Sequence, residues 1–283
     1  MNISELLCWG ESILGKKYSF DSKVLLAHCL NLKFNDIYFS HLNKKNITIK
    51  ESELYKKLVL KRKKAIPTEY ITGSTEFMGL KFSVNKNVLI PRQETECLIE
   101  HVLKILKYLK KPVKILDVGT GSGNIAVSIA NYSTNSHISA IDISKEAIKI
   151  AKKNASLNNV TKKIEFIQSD IFGSISKLKY KKYDLIISNP PYIKTEEIKT
   201  LQREIHNEPV IALDGGKDGL AFYKRIIPES KKYLNKRGYL IFEIGYHHSD
   251  PVKEIMKING YKRIKILKDY TNQERIIYGQ NYY

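Results

Sequence analysis

An amide, two prolines and an aromatic ring stand together at Asn189, Pro190, Pro191 and Tyr192, directly after the apolar run Asp184 to Ser188. Neither proline has an N–H to give a β ladder, so a strand over Tyr183 to Ser188 must end here. What the chain carries out of the sheet suits holding a planar –NH2 group. The Asn189 side-chain oxygen and the Pro190 carbonyl can each accept one N–H, while the Tyr192 face covers the plane. Proline's fixed φ aims its carbonyl with little further ordering. A strand closed by a proline turn with a packed tyrosine would use the same residue types, so the corner alone does not decide between the two.

A second half lies about seventy residues earlier. Asp117 and Val118 lead into Gly119, Thr120, Gly121, Ser122 and Gly123, where a first strand meets its helix. Glycines let the backbone turn sharply and let a ligand approach the main chain without a Cβ in the way. The run is weak by itself, being shared with dinucleotide-binding folds. Two acids narrow it. Asp142 ends a second strand, where a carboxylate can accept both ribose hydroxyls. Asp170 ends a third, where it can accept an adenine amino group, with Ile171 and Phe172 as apolar cover for the ring. Singly, each acid could be a helix N-cap. Together with Asn189 they follow four successive strands, and in an open parallel sheet the ligand lies across the carboxyl ends of the strands. A nicotinamide enzyme would need a His or Lys to handle protons, and the corner offers neither. An amine holder beside an adenosine site implies methyl transfer from S-adenosylmethionine.

The elements that must position these residues alternate. Strands are expected over Val113 to Val118, His137 to Ile141, Ile164 to Gln168, Tyr183 to Ser188 and Tyr239 to Ile244, with helices over Ile125 to Ala130, Lys145 to Asn154 and Gly219 to Tyr233. Two further strands, Lys262 to Leu267 and Arg275 to Gly279, are close enough to pair antiparallel. The pattern predicts an α/β fold, a seven-stranded mixed sheet with helices on both faces. Upstream, Thr95 to about Lys110 has helical spacing, and Glu76 to Val84 alternates about Gly79 as a β-hairpin. Before that, apolar residues recur at helical spacing over Ile3 to Ile13, over Asp21 to Leu30 with Asp21 or Ser22 as N-cap, over Phe34 to Phe39 and over Ser52 to Lys64. These divisions set expected domains: a helical bundle over 1–65, a hairpin linker over 66–91 and a catalytic domain over 92–283. His28 and His41 read as packing or surface residues.

Composition excludes some classes. No apolar run is long enough to span a bilayer, and the N-terminus has no secretory signal pattern. Cys8, Cys29 and Cys97 are widely spaced and odd in number, so neither a disulfide framework nor a metal site is expected, and reduced thiols in a cytoplasm are. The net charge of +19 invites a nucleic-acid partner, but only seven of the cations are arginine, the residue that base readers favour. Charge therefore leaves direct nucleic-acid binding open.

At this point the sequence resembles the class I S-adenosylmethionine-dependent methyltransferases, with their Rossmann-like sheet, and within them the PrmC/HemK family. The resemblance runs through most of the chain beyond about residue 65. It rests on the blocks from Phe77 to Phe82, Leu89 to Glu96, Asp117 to Gly123, Asn189 to Tyr192 and Glu208 to Leu220. Asn-Pro-Pro-Tyr alone is shared with adenine-N6 methyltransferases; the blocks at 89–96 and 208–220 are what resemble the release-factor branch. Two departures stand out: Gln93, where the family usually has proline, and Tyr246, His247 and His248, where it usually has a glutamine. The resemblance implies methylation of the side-chain nitrogen of the glutamine in the Gly-Gln-Gln loop of class 1 peptide chain release factors, by a cytoplasmic monomer whose bundle recognises the release factor.

On that reading Asn189, Pro190 and Tyr192 are the catalytic residues, and they bind the substrate with Pro191. Gly119, Thr120, Gly121, Ser122, Gly123, Asp142, Asp170, Ile171 and Asn189 bind the cofactor. The alternatives are an adenine-N6 methyltransferase acting on RNA or DNA, and a non-catalytic basic binding module on the same fold.

Overall fold

The computed structural model describes residues 2–38, 47–109 and 112–282, which form two compact units. The first comprises Met1–Ser74 together with Gln202–Asn207. Its helix α1, Ile3–Leu14, opens with a capping box: Asn2 accepts the Glu5 N–H at 2.9 Å, and Glu5 accepts the Asn2 N–H at 3.0 Å. Helix α2, Ser19–Leu30, is followed by Asn31 in the left-handed region, and helix α3, Ile49–Lys63, repeats the capping box with Thr48 and Glu51. A short helix α4, Thr68–Thr72, completes the unit. Leu6, Leu25, Leu26, Leu58 and Val59 fill the space between α1, α2 and α3.

Two sequence expectations change here. Asp21 and Ser22 are not caps; they lie inside α2, which starts straight from a 3-10 turn over Lys16–Tyr18. Their polar groups are used across the unit instead. Ser22 Oγ and Tyr55 Oη are 2.6 Å apart in the core, and Gly10 makes room, since a Cβ there would overlap both. Asp21 Oδ2 accepts from Arg62 Nε at 2.6 Å, and Glu204 Oε1 accepts from Arg62 Nη2 at 2.8 Å. The third expected helix is a 3-10 segment over Phe34–Tyr38; Phe39 and His41 lie outside the described residues.

The second unit comprises Thr75–Leu201 and Glu208–Tyr283. Strands β1, Ser74–Phe77, and β2, Leu80–Ser83, form the expected hairpin around Met78 and Gly79, whose φ of 51° and 67° match the twist a two-residue turn requires. Helix α5, Glu94–Tyr108, begins one residue before the expected start, and Lys110 lies outside the described residues. The main sheet then builds from β3, Val113–Val118; β4, Ser136–Asp142; β5, Ile164–Gln168; β6, Tyr183–Ser188; β7, Leu234–Glu243; β8, Lys262–Lys268; and β9, Glu274–Gln280. Its order is β5-β4-β3-β6-β7-β9-β8, parallel through β7, with β9 antiparallel to both β7 and β8. The seven-stranded mixed sheet with a terminal antiparallel pair is as the sequence predicts. Strand β6 is buried at every position, which is why it reads as an unbroken apolar run.

Successive side chains of the central strands feed two cores. Ile115, Leu185, Ile187 and Ile241 pack with α5 and with helix α6, Asn124–Tyr132. Leu116, Ile186, Leu240 and Phe242 pack with helix α8, Ala221–Ser230, and helix α9, Ser249–Ile258. Helix α7, Lys145–Leu157, follows β4. Helix α8 is shorter at both ends than the expected 219–233. Helix α9 was not anticipated at all, although Val252, Ile255 and Met256 have helical spacing.

Arg62 is the polar pivot of the first unit: only 7% exposed, it faces two carboxylates and lies 4.4 Å from the Tyr18 ring centre. Removing one member of a buried ionic cluster strands the others. Arg62→Ala is expected to destabilise the helical unit by about 3 kcal/mol, read by thermal unfolding; an unchanged transition would show the cluster to be solvated and dispensable.

Candidate active site

The chain runs β3 to β4 to β5 in one direction across the sheet, then returns to lay β6 on the other side of β3. Such a reversal opens a crevice at the carboxyl ends of the two central strands. Register makes the juxtaposition tight. Val118 pairs with Ser188, and Ser188 Oγ donates to the Val118 carbonyl at 2.7 Å, so Gly119 and Asn189 leave the sheet from neighbouring positions. Asp142 pairs with Gln168 one strand further out, two residues before Asp170. Most of the expected site residues therefore line one cavity, with Gly119, Thr120, Gly121, Ser122, Asp142, Asp170, Ile171, Asn189, Pro190 and Pro191 in its wall; Gly123 and Tyr192 are not part of that wall.

Gly119, Gly121 and Gly123 all have positive φ, 75°, 55° and 82°. They divide by role. A Cβ at 119 or 121 would meet nothing within 4 Å and would project into open space, whereas one at 123 would press on Ala151 Cβ at 3.0 Å. Gly123 therefore seats α6 against α7, while the first two leave a cradle of bare main chain. Asp142 braces the cradle: its Oδ2 accepts the Gly121 N–H and its Oδ1 the Ser144 N–H, both at 2.8 Å. Each carboxylate oxygen can take a second donor. Asp117, fully buried beneath the turn, accepts from Thr120 Oγ1 at 2.6 Å.

Asp170 accepts from Arg225 Nη2 at 2.8 Å, and both side chains are half exposed, so the pair is weak and its geometry exchangeable. Ile171 lines the cavity as expected. Phe172 does not. It is buried and stacked on Tyr233 at 4.8 Å in the core beneath the sheet, because Ile171 takes a φ of 45° and turns the next side chain inward.

The Asn-Pro-Pro-Tyr corner is held from behind by residues that sequence reasoning missed. Asn189 Nδ2 donates to Thr95 Oγ1 at 3.2 Å, and Thr95 Oγ1 donates to Glu243 Oε2 at 2.6 Å. Tyr192 Oη donates to the other oxygen of Glu243 at 3.4 Å, and Tyr223 Oη donates to the Glu243 carbonyl at 2.8 Å. No carboxylate was expected near this corner, yet Glu243 sits there, 1% exposed, at the end of β7. Its only sequence signal was a lone acid closing an apolar strand. Three glycines admit the loop: a Cβ on Gly215 would meet Tyr192 Cα at 2.7 Å, one on Gly219 the Tyr192 carbonyl, and one on Gly245 the Tyr192 ring at 2.7 Å. His248 fills the space behind, its ring 6.3 Å from that of Tyr192. The opposite wall of the cavity is tied by Glu208, which accepts the Ile90 N–H at 3.0 Å and pairs with Arg92.

A methyltransferase domain matches residues 109–281, and a PrmC N-terminal domain matches residues 5–73. The release factor glutamine methyltransferase of Fusobacterium nucleatum is 39% identical over 91% of this chain and 72% of its own. That of Clostridium botulinum is 37% identical over the whole of both chains. The chain belongs to the release factor glutamine methyltransferase family. In fold it is similar to the hMettl16 catalytic domain in complex with MAT2A 3'UTR hairpin 1, with TM-score 0.60 and 19% identity over 82% of this chain and 80% of that one. A methyltransferase from Pyrococcus furiosus gives TM-score 0.53 and 19% identity over 73% and 91%. At such identities these two likenesses establish the class I methyltransferase fold.

A methyltransferase of this family takes its methyl from S-adenosylmethionine, and the cavity fits that molecule. The open main-chain cradle at Gly119 and Gly121 would be filled by any Cβ, Asp142 has acceptor capacity for two hydroxyls, and Ile171 offers an apolar wall. Among the described residues no cluster of His, Cys, Asp and Glu could hold a metal, and no helix is long and apolar enough to cross a membrane.

Two buried acids give the methyltransferase a distinctive titration. Burial pushes the Asp117 carboxyl up to about 7, against the Thr120 bond. Burial pushes Glu243 up to about 7, against the bond from Thr95 and the charge of Arg275. Each keeps its proton in the folded chain at pH values where the unfolded chain has lost it, so each lowers stability progressively between about pH 4 and about pH 7 and adds no further slope above. Urea unfolding across that range is expected to show a shallower fall in stability for Glu243→Gln than for the unsubstituted protein. Equal slopes would mean that Glu243 is ionised in the folded state throughout.

Proposed function

We propose that this enzyme methylates the side-chain nitrogen of the glutamine in the Gly-Gln-Gln loop of class 1 release factors, acting as a monomer in the cytoplasm, where translation terminates. The observation that carries the acceptor half is the pair of acceptors at the corner. With Nδ2 engaged by Thr95, Asn189 is left to offer Oδ1, and the next residue, Pro190, offers a main-chain carbonyl in the same cavity wall. Two acceptors on adjacent residues of the cavity wall fit a –NH2 group with both hydrogens to give.

An amide nitrogen is a poor nucleophile because its lone pair is delocalised into the carbonyl. The chain's contribution is therefore positioning and electrostatics. Asn189 Oδ1 and the Pro190 carbonyl accept the two amide hydrogens and raise electron density on nitrogen. Tyr192, its hydroxyl tied to Glu243, holds its ring on the amide plane. S-adenosylmethionine supplies an electrophilic methyl group on a sulfonium sulfur. Gly119, Thr120, Gly121 and Ser122 hold that molecule with their main chain, Asp142 takes the ribose hydroxyls, Asp170 the adenine amino group in place of Arg225, and Ile171 covers the ring. Nitrogen becomes acidic only on methylation, so its proton leaves without a strong base. The helical unit, which carries the PrmC N-terminal match, recognises the release factor.

The same corner could hold an adenine amine. What favours glutamine is the full-length similarity to release factor glutamine methyltransferases together with the N-terminal match, which the fold likeness to an RNA-bound domain does not share. Radiolabel from S-adenosylmethionine is expected on release factor and to vanish when the Gly-Gln-Gln glutamine is replaced; label on total RNA or DNA alone would reverse the assignment. Asn189→Asp is expected to lower turnover by about a hundredfold or more while cofactor affinity by calorimetry stays within about threefold. Asp142→Ala should weaken cofactor binding first. Equal losses of binding in both variants would make Asn189 a cofactor residue.

A further inference from the structure

Resting on that reading of the corner, we propose that Glu243 and Thr95 are positioning residues that decide which end of the Asn189 amide faces the acceptor. An asparagine side chain presents oxygen on one side and –NH2 on the other, and the two ends differ little in shape. Only one orientation accepts hydrogens from the substrate; the reverse would aim two donors at the donors of the acceptor amine. Something must select between them.

The selection runs by hydrogen-bond polarity. An ionised carboxylate accepts and never donates, so Thr95, 2.6 Å from Glu243 Oε2, must give it its single hydroxyl proton. Thr95 Oγ1 is then an acceptor only towards Asn189. The end of the amide that meets it at 3.2 Å has to be Nδ2, and Oδ1 is turned the other way. The second carboxylate oxygen does the same for Tyr192, whose hydroxyl it takes at 3.4 Å. One buried anion thus sets the direction of both bonds behind the corner.

The arrangement depends on the charge of Glu243. Once protonated, the acid can donate to Thr95, whose hydroxyl is then free to donate to Asn189; the amide turns over and the acceptor site is lost. Several groups face Glu243: Thr95 and Glu94 from α5, Tyr192 from the corner, Tyr223 from α8 through the main-chain carbonyl, and Arg275 from β9, itself bonded to Asp269. Arg275 favours the anion and Glu94 opposes it. With the carboxyl pushed up to about 7 by burial, the protonated form is reached as pH falls through neutrality, and turnover is expected to fall with it.

The test is methyl transfer as a function of pH with Thr95→Val, Thr95→Ser and Glu243→Gln, beside calorimetric binding of S-adenosylhomocysteine. Thr95→Val should lower kcat between about tenfold and about a hundredfold, the worth of one charge-assisted hydrogen bond. KM and cofactor affinity should stay within about threefold, and Thr95→Ser should restore most of the rate. The acidic limb of the kcat profile should be present in the unsubstituted enzyme and absent in Glu243→Gln, whereas a limb belonging to Asp117 would survive that change. Independently of turnover, the side-chain 15N–1H2 resonances of Asn189 should move with pH near neutrality in the unsubstituted protein and not in Glu243→Gln. Full activity in Thr95→Val, or an unaltered acidic limb in Glu243→Gln, would overturn the proposal. If nucleic acid instead of release factor takes the label, the glutamine reading fails, and the same variants on that acceptor still test the amide orientation.

Discussion

Everything at the crevice depends on the parallel pairing of β3 with β6. These two strands are separated by about seventy residues, and their register brings Val118 beside Ser188 with a side-chain hydrogen bond to fix it. One residue later the chain enters the glycine turn on one strand and the Asn-Pro-Pro-Tyr corner on the other. A slip of one position would turn every side chain of β6 to the opposite face and bury the amide. Both faces of β6 are packed, so such a slip would also empty two cores at once. The hydrophobic cost of a wrong register is thus what keeps the glycine turn and the Asn-Pro-Pro-Tyr corner side by side in one cavity wall. Stability of the sheet and geometry of the chemistry are the same constraint.

The two halves of the site are built by different means. The cofactor half is main chain: Gly119 and Gly121 leave it bare of Cβ atoms, and two carboxylates, Asp142 and Asp117, tie the turn. The acceptor half proposed for the corner is side chain and proline carbonyl, and it has a scaffold behind it. That scaffold is drawn from α5, α8, β7 and the glycines at 215, 219 and 245, elements far apart in sequence. Backbone cradles tolerate the exchange of one ligand for its demethylated product, whereas a corner that must hold an amide to a fraction of an ångström requires second contacts for every polar atom. The blocks around Thr95 and Gly215 to Gly219 support this corner, by a hydrogen bond to Asn189 and by the room they leave for Tyr192.

That division explains what could be read from the sequence. Strands β3 and β6 were legible to the residue because buried parallel strands are near-continuous apolar runs bounded by turn residues, and β5, at the sheet edge and half-buried, was legible from its apolar–polar alternation. The rim residues were legible because glycines, acids and prolines at strand ends have few other reasons to be there. Asp21 and Ser22 misled because both are good caps, and only the tertiary partners Arg62 and Tyr55 reveal why they sit inside a helix. Phe172 misled because one positive φ at Ile171 reverses the direction of the next side chain, and propensity says nothing of that. Thr95 and Glu243 were invisible for a simpler reason. A threonine in the first turn of a helix and an acid at the end of a strand are ordinary, and their meaning lies in a contact across 148 positions of sequence. Helix α9, by contrast, had a readable apolar spacing.

The departures at Gln93 and His248 follow from the same picture. Gln93 is exposed at the start of α5 with φ of −60°, the value a proline ring would impose, so the backbone already holds the conformation that proline would enforce. What glutamine forgoes is restriction of the unfolded chain, not a contact in the site. His248 stands where its bulk matters and its charge does not. Burial pushes its pKa down, so it meets Tyr192 and the glycine-lined wall as a neutral ring. A neutral polar side chain of similar reach could occupy the space equally well. A permanently charged one would be buried against the Tyr192 ring and the main chain of Gly219 and Gly245, at the same desolvation cost that already disfavours the protonated imidazole.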